Sequence, residues 1–336
     1  MMNLDNEQKP FRWGIMGCGR IAVKFFTALS HTGEGLVVAA ASKSMHRANR
    51  LQRKTGIETI YSSYEAMLDS DELDAVYIAN THNAHADSAL LCLERGIPVL
   101  IEKPITQNAK QTERIIAAAR ANNTFAMEAM WTRFNPAVIK LQDVLAAGTI
   151  GEVRSLEAEF CVRMNPLNPK MRPWNRMCSP RLAGGALLDL GVYPIVFARM
   201  VFGQAPASIS SSADMAWTGV DKSSQYTFEY SNGARAQMQT SFVKERPRIM
   251  VITGTTGSIH MTGFHGSDRF IIRRDGRPEE VVQCDPSGFE HEIREVHRCL
   301  KAGLTESPSM PLAETLETMQ TLDAIRAQWG MKYPGE

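Results

Sequence analysis

Little in this sequence points toward a macromolecular partner. Its 37 lysines and arginines are matched by 36 acids, leaving a formal charge of +1. No net field therefore draws it to nucleic acid or to an anionic lipid surface. No apolar run reads as long enough to span a membrane, so a membrane protein is not expected. The opening stretch MMNLDNEQKPFRW lacks the apolar core of a signal peptide. Six cysteines are present (Cys18, Cys92, Cys161, Cys178, Cys284 and Cys299), none at C-x-x-C spacing. Reduced, buried thiols in a cytoplasmic protein are the expectation. His291, His297 and Cys299 fall in one amphipathic stretch, FEHEIREVHRCLKAG, where a structural or surface role is expected and no metal is. Internal repeats and low-complexity tails are also missing.

With 336 residues, the chain exceeds one typical core, so two domains are expected. Residues 1–130 alternate short apolar runs with helical patterns. The runs Trp13–Met16, Val37–Ala41, Thr59–Tyr61, Ala75–Ile78, Val99–Ile101 and Phe125–Met130 read as strands. Helical patterns lie between them, and Ser62 with Glu65 reads as a capping box for the third. Such alternation implies a doubly wound parallel α/β sheet. In residues 131–336 the pattern changes to apolar–polar alternation, punctuated by Asn232-Gly233 and Asp275-Gly276. That predicts an α+β region with an open, largely antiparallel sheet and helices on one face. The C-terminal helix is free to pack back on the first domain. Loop 164–183 is too long for a simple connector and reads as a lid or binding loop.

The first strand runs into Gly17-Cys18-Gly19-Arg20-Ile21-Ala22, a G-x-G-x-x-A. Glycine permits the turn and a close pyrophosphate, and the helix that follows offers free N–H groups to an anion. A dinucleotide site is implied because the motif sits between a strand and a helix. The second strand would end in an acid if it selected the ribose hydroxyls of NAD. Here Ser42, Lys43 and Ser44 stand at that end, with Arg47 a turn beyond. Hydroxyls and cations suit a 2′-phosphate, so NADP is expected, with NAD the alternative. The fifth strand ends in Glu102-Lys103-Pro104, and Pro104 keeps Lys103 extended at the strand tip. A lysine there can stabilise negative charge on a substrate oxygen.

These motifs in this order resemble the Gfo/Idh/MocA oxidoreductase family over nearly the whole chain. EAMWTRFNP and GGALLDLGVYPI resemble the branch containing dimeric dihydrodiol dehydrogenase and NADP-dependent D-xylose dehydrogenase. The resemblance implies a Rossmann N-terminal domain, a C-terminal substrate-binding and dimerisation domain, and a homodimer. It implies an essential Lys103, with Glu102 beside it at the cofactor. Asn80, Thr81, His82 and His85 answer the family's T-P-x-x-x-H segment, with its threonine and proline replaced. Tyr193 is implied as the proton-transfer residue, with Asp189 orienting it or the substrate. The spacing of Asp189 and Tyr193 puts them on one helical face, although Pro194 suggests a helix that begins near Leu190. Lys103 is expected to lower the phenol's pKa.

Trp131, Arg133, Arg172 and Trp174 are candidate substrate contacts. The expected reaction moves a hydride between nicotinamide and a secondary alcohol of a sugar, cyclic polyol or diol, without metal. Two other readings are a non-catalytic NADP(H) sensor and a sugar–sugar oxidoreductase with a tightly held cofactor.

Overall fold

The computed structural model describes residues 9–70, 72–164 and 176–336. A six-stranded sheet comes first: β1 (Phe11–Met16), β2 (Gly35–Ala41), β3 (Thr59–Tyr61), β4 (Ala75–Ile78), β5 (Val99–Glu102) and β6 (Ala126–Ala129). Their order is β3-β2-β1-β4-β5-β6 and all pairs are parallel. Strands β4, β5 and β6 are buried at every position, as a sheet covered on both faces requires. The covering helices are α1 (Arg20–Thr32), α2 (Met45–Thr55), α3 (Tyr64–Ser70), α4 (His85–Leu93) and α5 (Ala109–Ala121). The order in which strands are added turns back at β1, with β2 and β3 on one side and β4 to β6 on the other. That switch opens a crevice beyond their carboxyl ends.

Helix α3 corrects one local reading. Its cap is Ser63, whose hydroxyl accepts from Ala66 N at 3.0 Å and donates to Glu65 at 3.0 Å. Ser62 lies one residue too early to reach those amides. A 3₁₀ turn at Trp131–Phe134 then leads into α6 (Pro136–Ala146).

The second sheet has eight strands: β7 (Val153–Cys161), β8 (Ser208–Met215), β9 (Asp221–Glu229), β10 (Arg235–Ser241), β11 (Ile249–Gly254), β12 (Gly257–Thr262), β13 (Arg269–Arg274) and β14 (Glu280–Gln283). They are ordered β14-β13-β12-β11-β7-β10-β9-β8, and only β7 with β10 is parallel. One face is buried by α7 (Val192–Phe202) and, at the edge, by α9 (Leu312–Gln328). The other carries Glu157, Gln225, Thr227, Gln237 and Gln239, mostly exposed or half-exposed. Helix α9 also reaches the first sheet's helices. Asp323 accepts from Ala109 N at 2.8 Å, capping α5, and Arg326 donates to Gln107 O at 3.3 Å.

The stretch Pro180–Phe202 is, by length and composition, apolar enough to cross a membrane, contrary to the sequence reading. Arg181, Asp189 and Arg199 interrupt it as a run. Most of it is buried against the second sheet, and a helix apolar all round is what such a position selects.

Helix α8 (Glu290–Lys301) joins the two halves. His297 is buried against Phe11, with ring centroids 4.1 Å apart. It accepts from the Trp13 indole at 3.0 Å and pairs with Glu34 at 3.1 Å. One turn earlier Glu292 is wholly buried, and neither carboxyl oxygen has a partner among the described residues. Burial, with the charge of Glu102 adding to it, pushes its pKa well above the usual range. A carboxyl with a raised folded pKa stabilises the fold most below its unfolded pKa and loses that advantage as pH rises. Replacing Glu292→Met is expected to raise stability at pH 8 by about 1–3 kcal/mol. It should also remove part of the decline between pH 5 and pH 8 in urea unfolding. An unchanged pH slope would refute the assignment.

Candidate active site

Strand β1 delivers Gly17 at φ +101, a conformation that favours glycine. A Cβ there would meet Asn80 N at 2.6 Å and Ala79 O at 2.8 Å. Gly17 thus lets the β1 turn nest against the end of β4. Gly19 is different. Its φ is an ordinary −82, and an added Cβ would meet only Ala79 O at 3.8 Å. The fold itself does not demand glycine there, so the open space fits a ligand. Gly19 also caps α1 without a side-chain acceptor, and no acid lies in the first turn. The first amides of α1 remain available to a pyrophosphate. Cys18 is buried, its thiol pushed up to about 11 by burial, and contributes shape rather than reactivity. Arg20 is exposed and Ile21 half-buried on the rim.

At the end of β2, Ser42 is buried and its hydroxyl accepts from Ser44 N at 3.2 Å. Lys43 and Arg47 are exposed beside it, and neither forms a salt bridge among the described residues. After β4, the Asn80 amide donates to Ser88 at 2.7 Å, but its buried carbonyl oxygen has no partner among the described residues. Thr81 donates to Asn83 at 2.7 Å.

The two histidines expected near the cofactor are buried and hydrogen-bonded within the protein. His82 Nδ1 lies 2.9 Å from Ala183 O and His85 Nδ1 lies 3.0 Å from Pro104 O. Burial pushes them down to about 3 and about 4, so both are neutral. His85 therefore holds the turn that follows Lys103. Glu102 turns inward as well, where the Tyr77 hydroxyl donates to it. Tyr77 and Glu102 thus bridge β4 and β5, His85 ties the segment after β4 to the one after β5, and His82 ties it to Ala183 in the second half of the chain.

Lys103 reaches across to the second half of the chain. Its ammonium donates to the Asp189 backbone carbonyl at 2.7 Å, lies 3.5 Å from the Asp189 carboxylate, and sits 4.7 Å from the centre of the Tyr193 ring. Burial opposes its charge, yet Tyr193 and Asp189 hold its pKa above the ordinary value. The helix that carries Tyr193 does not begin near Leu190, where Pro194 suggested. The helix is already under way at Leu187, wound as a π-turn over Leu187–Gly191 before α7. Its start is held from afar, by Asp221 of β9 accepting from Leu187 N at 2.8 Å. Five residues beyond Asp189 stands Pro194, which has no N–H. Where the turn is π-wound, the Asp189 carbonyl lacks that donor, and the lysine supplies one.

Arg176 donates to the Asp189 carboxylate at 3.0 Å. Burial alone would raise the Asp189 pKa. Arg176 and Lys103 outweigh it and hold the group well below the usual carboxylate range. For Tyr193 the balance is reversed. Lys103 lowers its pKa as expected, but burial raises it more, and the phenol stays protonated. Trp131 donates its indole N–H to the Tyr193 oxygen at 3.2 Å.

Trp131 thus joins the site. Arg133 does not: it pairs with Glu314 at 2.6 Å and donates to Ser309 O, fastening the 3₁₀ turn to the start of α9. Arg172 and Trp174 lie outside the described residues. Arg176, Phe160 and His265 were not singled out by sequence, which carries no periodic signal in loops or for aromatic rings brought together from distant strands.

Gly19→Ala is expected to leave the unfolding midpoint within about 0.5 kcal/mol of its original stability. The same change should weaken dinucleotide binding at least tenfold, read by quenching of protein fluorescence. Loss of stability without selective loss of binding would show that Gly19 serves the fold.

Residues 11–129 match the oxidoreductase family described by its NAD-binding Rossmann fold, and residues 138–260 match the GFO/IDH/MocA C-terminal domain. The chain is 35% identical over 333 residues to trans-1,2-dihydrobenzene-1,2-diol dehydrogenase of Mus musculus, covering 96% of this chain and 98% of that one. The Xenopus tropicalis protein of that name is 33% identical, with 96% and 99% covered. Among solved structures, KijD10, a 3-ketoreductase from Actinomadura kijaniata in complex with NADP and TDP-benzene, superimposes with a TM-score of 0.84 at 27% identity, covering 95% of this chain and 98% of that one. Crevice, cradle and similarity agree, and the chain belongs to the GFO/IDH/MocA family as an NAD(P)-dependent oxidoreductase.

Proposed function

We propose that this enzyme interconverts a secondary alcohol and a ketone on a vicinal diol or cyclic polyol, with NADP as the preferred cofactor. The observation that carries the reading is the Lys103 ammonium fixed between Asp189 and the Tyr193 ring at the crevice rim. The curated relatives bear the name of a diol dehydrogenase, and the related 3-ketoreductase was solved with NADP.

The bound nicotinamide supplies the hydride acceptor or donor. The protein supplies the rest. A substrate oxygen set between the Lys103 ammonium and the Tyr193 hydroxyl meets a fixed positive charge and a proton. During reduction, Tyr193 gives its proton to the oxygen as the C–H bond forms, and Lys103 stabilises the developing alkoxide. During oxidation the proton returns to the Tyr193 oxygen. Asp189, kept ionised by Arg176, fixes the lysine. Trp131 fixes the phenol. Lys43 and Arg47 suit a 2′-phosphate on the adenosine ribose, where an acid would repel it. The second sheet's outer face is the proposed surface of a homodimer.

Lys103→Met is expected to lower kcat by about 10²–10³ or more and Tyr193→Phe by about 10²–10⁴, with NADPH affinity held within a factor of about three by fluorescence titration. A fully active Lys103→Met enzyme would remove the lysine from the chemistry. Because burial keeps the phenol protonated, reduction needs no ionisation near neutrality and its kcat/KM should stay flat there. Oxidation needs the deprotonated oxygen, so its kcat/KM should climb with pH, approaching about tenfold per unit. Matching pH profiles in the two directions would contradict the role given to Tyr193. Arg47→Ala should weaken NADPH about tenfold and leave NADH nearly unchanged.

A further inference from the structure

His265 occupies the turn between β12 and β13 and carries none of the roles above. Its neighbour Phe264 is fully buried, edge-on to Phe197 at 5.2 Å, which anchors the turn in the core. His265 is thereby presented to the crevice. Its ring lies on Phe160, with centroids 4.5 Å apart, and stands edge-on to Tyr193 at 6.1 Å and to Trp131 at 6.3 Å. The proton-transfer oxygen of Tyr193 and its Trp131 partner thus share one wall with this imidazole.

Two observations define what the ring can do. Nδ1 is sealed from solvent and has no hydrogen-bond partner among the described residues, whereas the residue as a whole is only half-buried, so its exposure lies away from Nδ1. Burial, and then the charges of Arg248 and Lys103, push the imidazole down to about 4, so it is neutral at working pH. A neutral imidazole has one donor and one acceptor. A buried N–H without a partner is rarer than a bare acceptor, so the proton belongs on Nε2. The outcome is a single fixed donor on the open side of the ring, beside the reacting position and too weakly basic to serve as the proton-transfer group.

We propose that His265 is a specificity-determining residue that donates Nε2–H to the non-reacting hydroxyl of a vicinal diol, while the neighbouring oxygen lies between Lys103 and Tyr193. This rests on the diol oxidoreductase reading. Trp131 and Phe160 wall the carbon skeleton, leaving His265 as the polar edge of an otherwise aromatic surface. An alcohol without the second hydroxyl strands that donor, which is how a site rejects a substrate of similar shape.

The test compares trans-cyclohexane-1,2-diol with cyclohexanol, using NADP, in the unaltered enzyme, His265→Phe and His265→Gln. Phenylalanine keeps the tilted ring contact with Phe160 and removes the donor. His265→Phe is expected to reduce kcat/KM for the diol by about 10- to 100-fold, mainly through KM, and to leave cyclohexanol within about threefold. His265→Gln should recover part of the diol activity, with NADPH binding unchanged in all three proteins. An equal loss on both alcohols, or none on the diol, overturns the assignment while the diol reading stands. Absence of turnover with either alcohol in the unaltered enzyme overturns that reading and this one with it.

Discussion

A cation held where it would rather not be is the constraint on which this structure turns. The Lys103 side chain is only 13% exposed, and burying an ammonium is costly unless it is paired. The pairing comes from the opposite half of the chain, as a backbone carbonyl, a carboxylate and a ring face. None belongs to the parallel sheet that carries the lysine. The two halves must therefore meet in one relation for the charge to be tolerated, and that relation also assembles the crevice.

Around this cation the remaining groups settle into complementary states. Asp189 is ionised because Arg176 and Lys103 both face it. Tyr193 is protonated because burial outweighs the lysine. His82, His85 and His265 are neutral for want of solvent. Below them, burial raises Glu102, Glu128 and Glu292. Glu128 is pushed up to about 7, and its oxygen accepts from Ile105 N at 3.0 Å, just past the lysine turn. One dry interior thus yields a fixed positive charge, a ready proton and polar supports with little charge of their own.

Much of this was legible from local pattern. The six parallel strands appear within two residues of the apolar runs, because a strand buried on both faces is largely apolar. The glycines of the cradle and the lysine at a strand tip were legible for the same reason: their neighbours in sequence are their neighbours in space. The failures share a cause as well. The helix carrying Tyr193 was expected to begin near Leu190, but it is under way at Leu187, held by Asp221 from 34 residues away. Arg133 was assigned to substrate and instead pairs with Glu314. That His82 and His85 brace loops was not legible in their spacing, because their partners lie 101 and 19 residues away.

The sequence by itself determined the strand–helix alternation, the dinucleotide cradle and the presence of Lys103 at the end of a strand, since these rest on periodicity and on backbone rules acting over a few residues. Only the tertiary structure decided what Lys103 would touch, which acids and histidines would carry charge, and that His265 would face Tyr193. Those depend on burial and on distances between residues far apart along the chain, quantities that exist only once the two sheets have closed on each other.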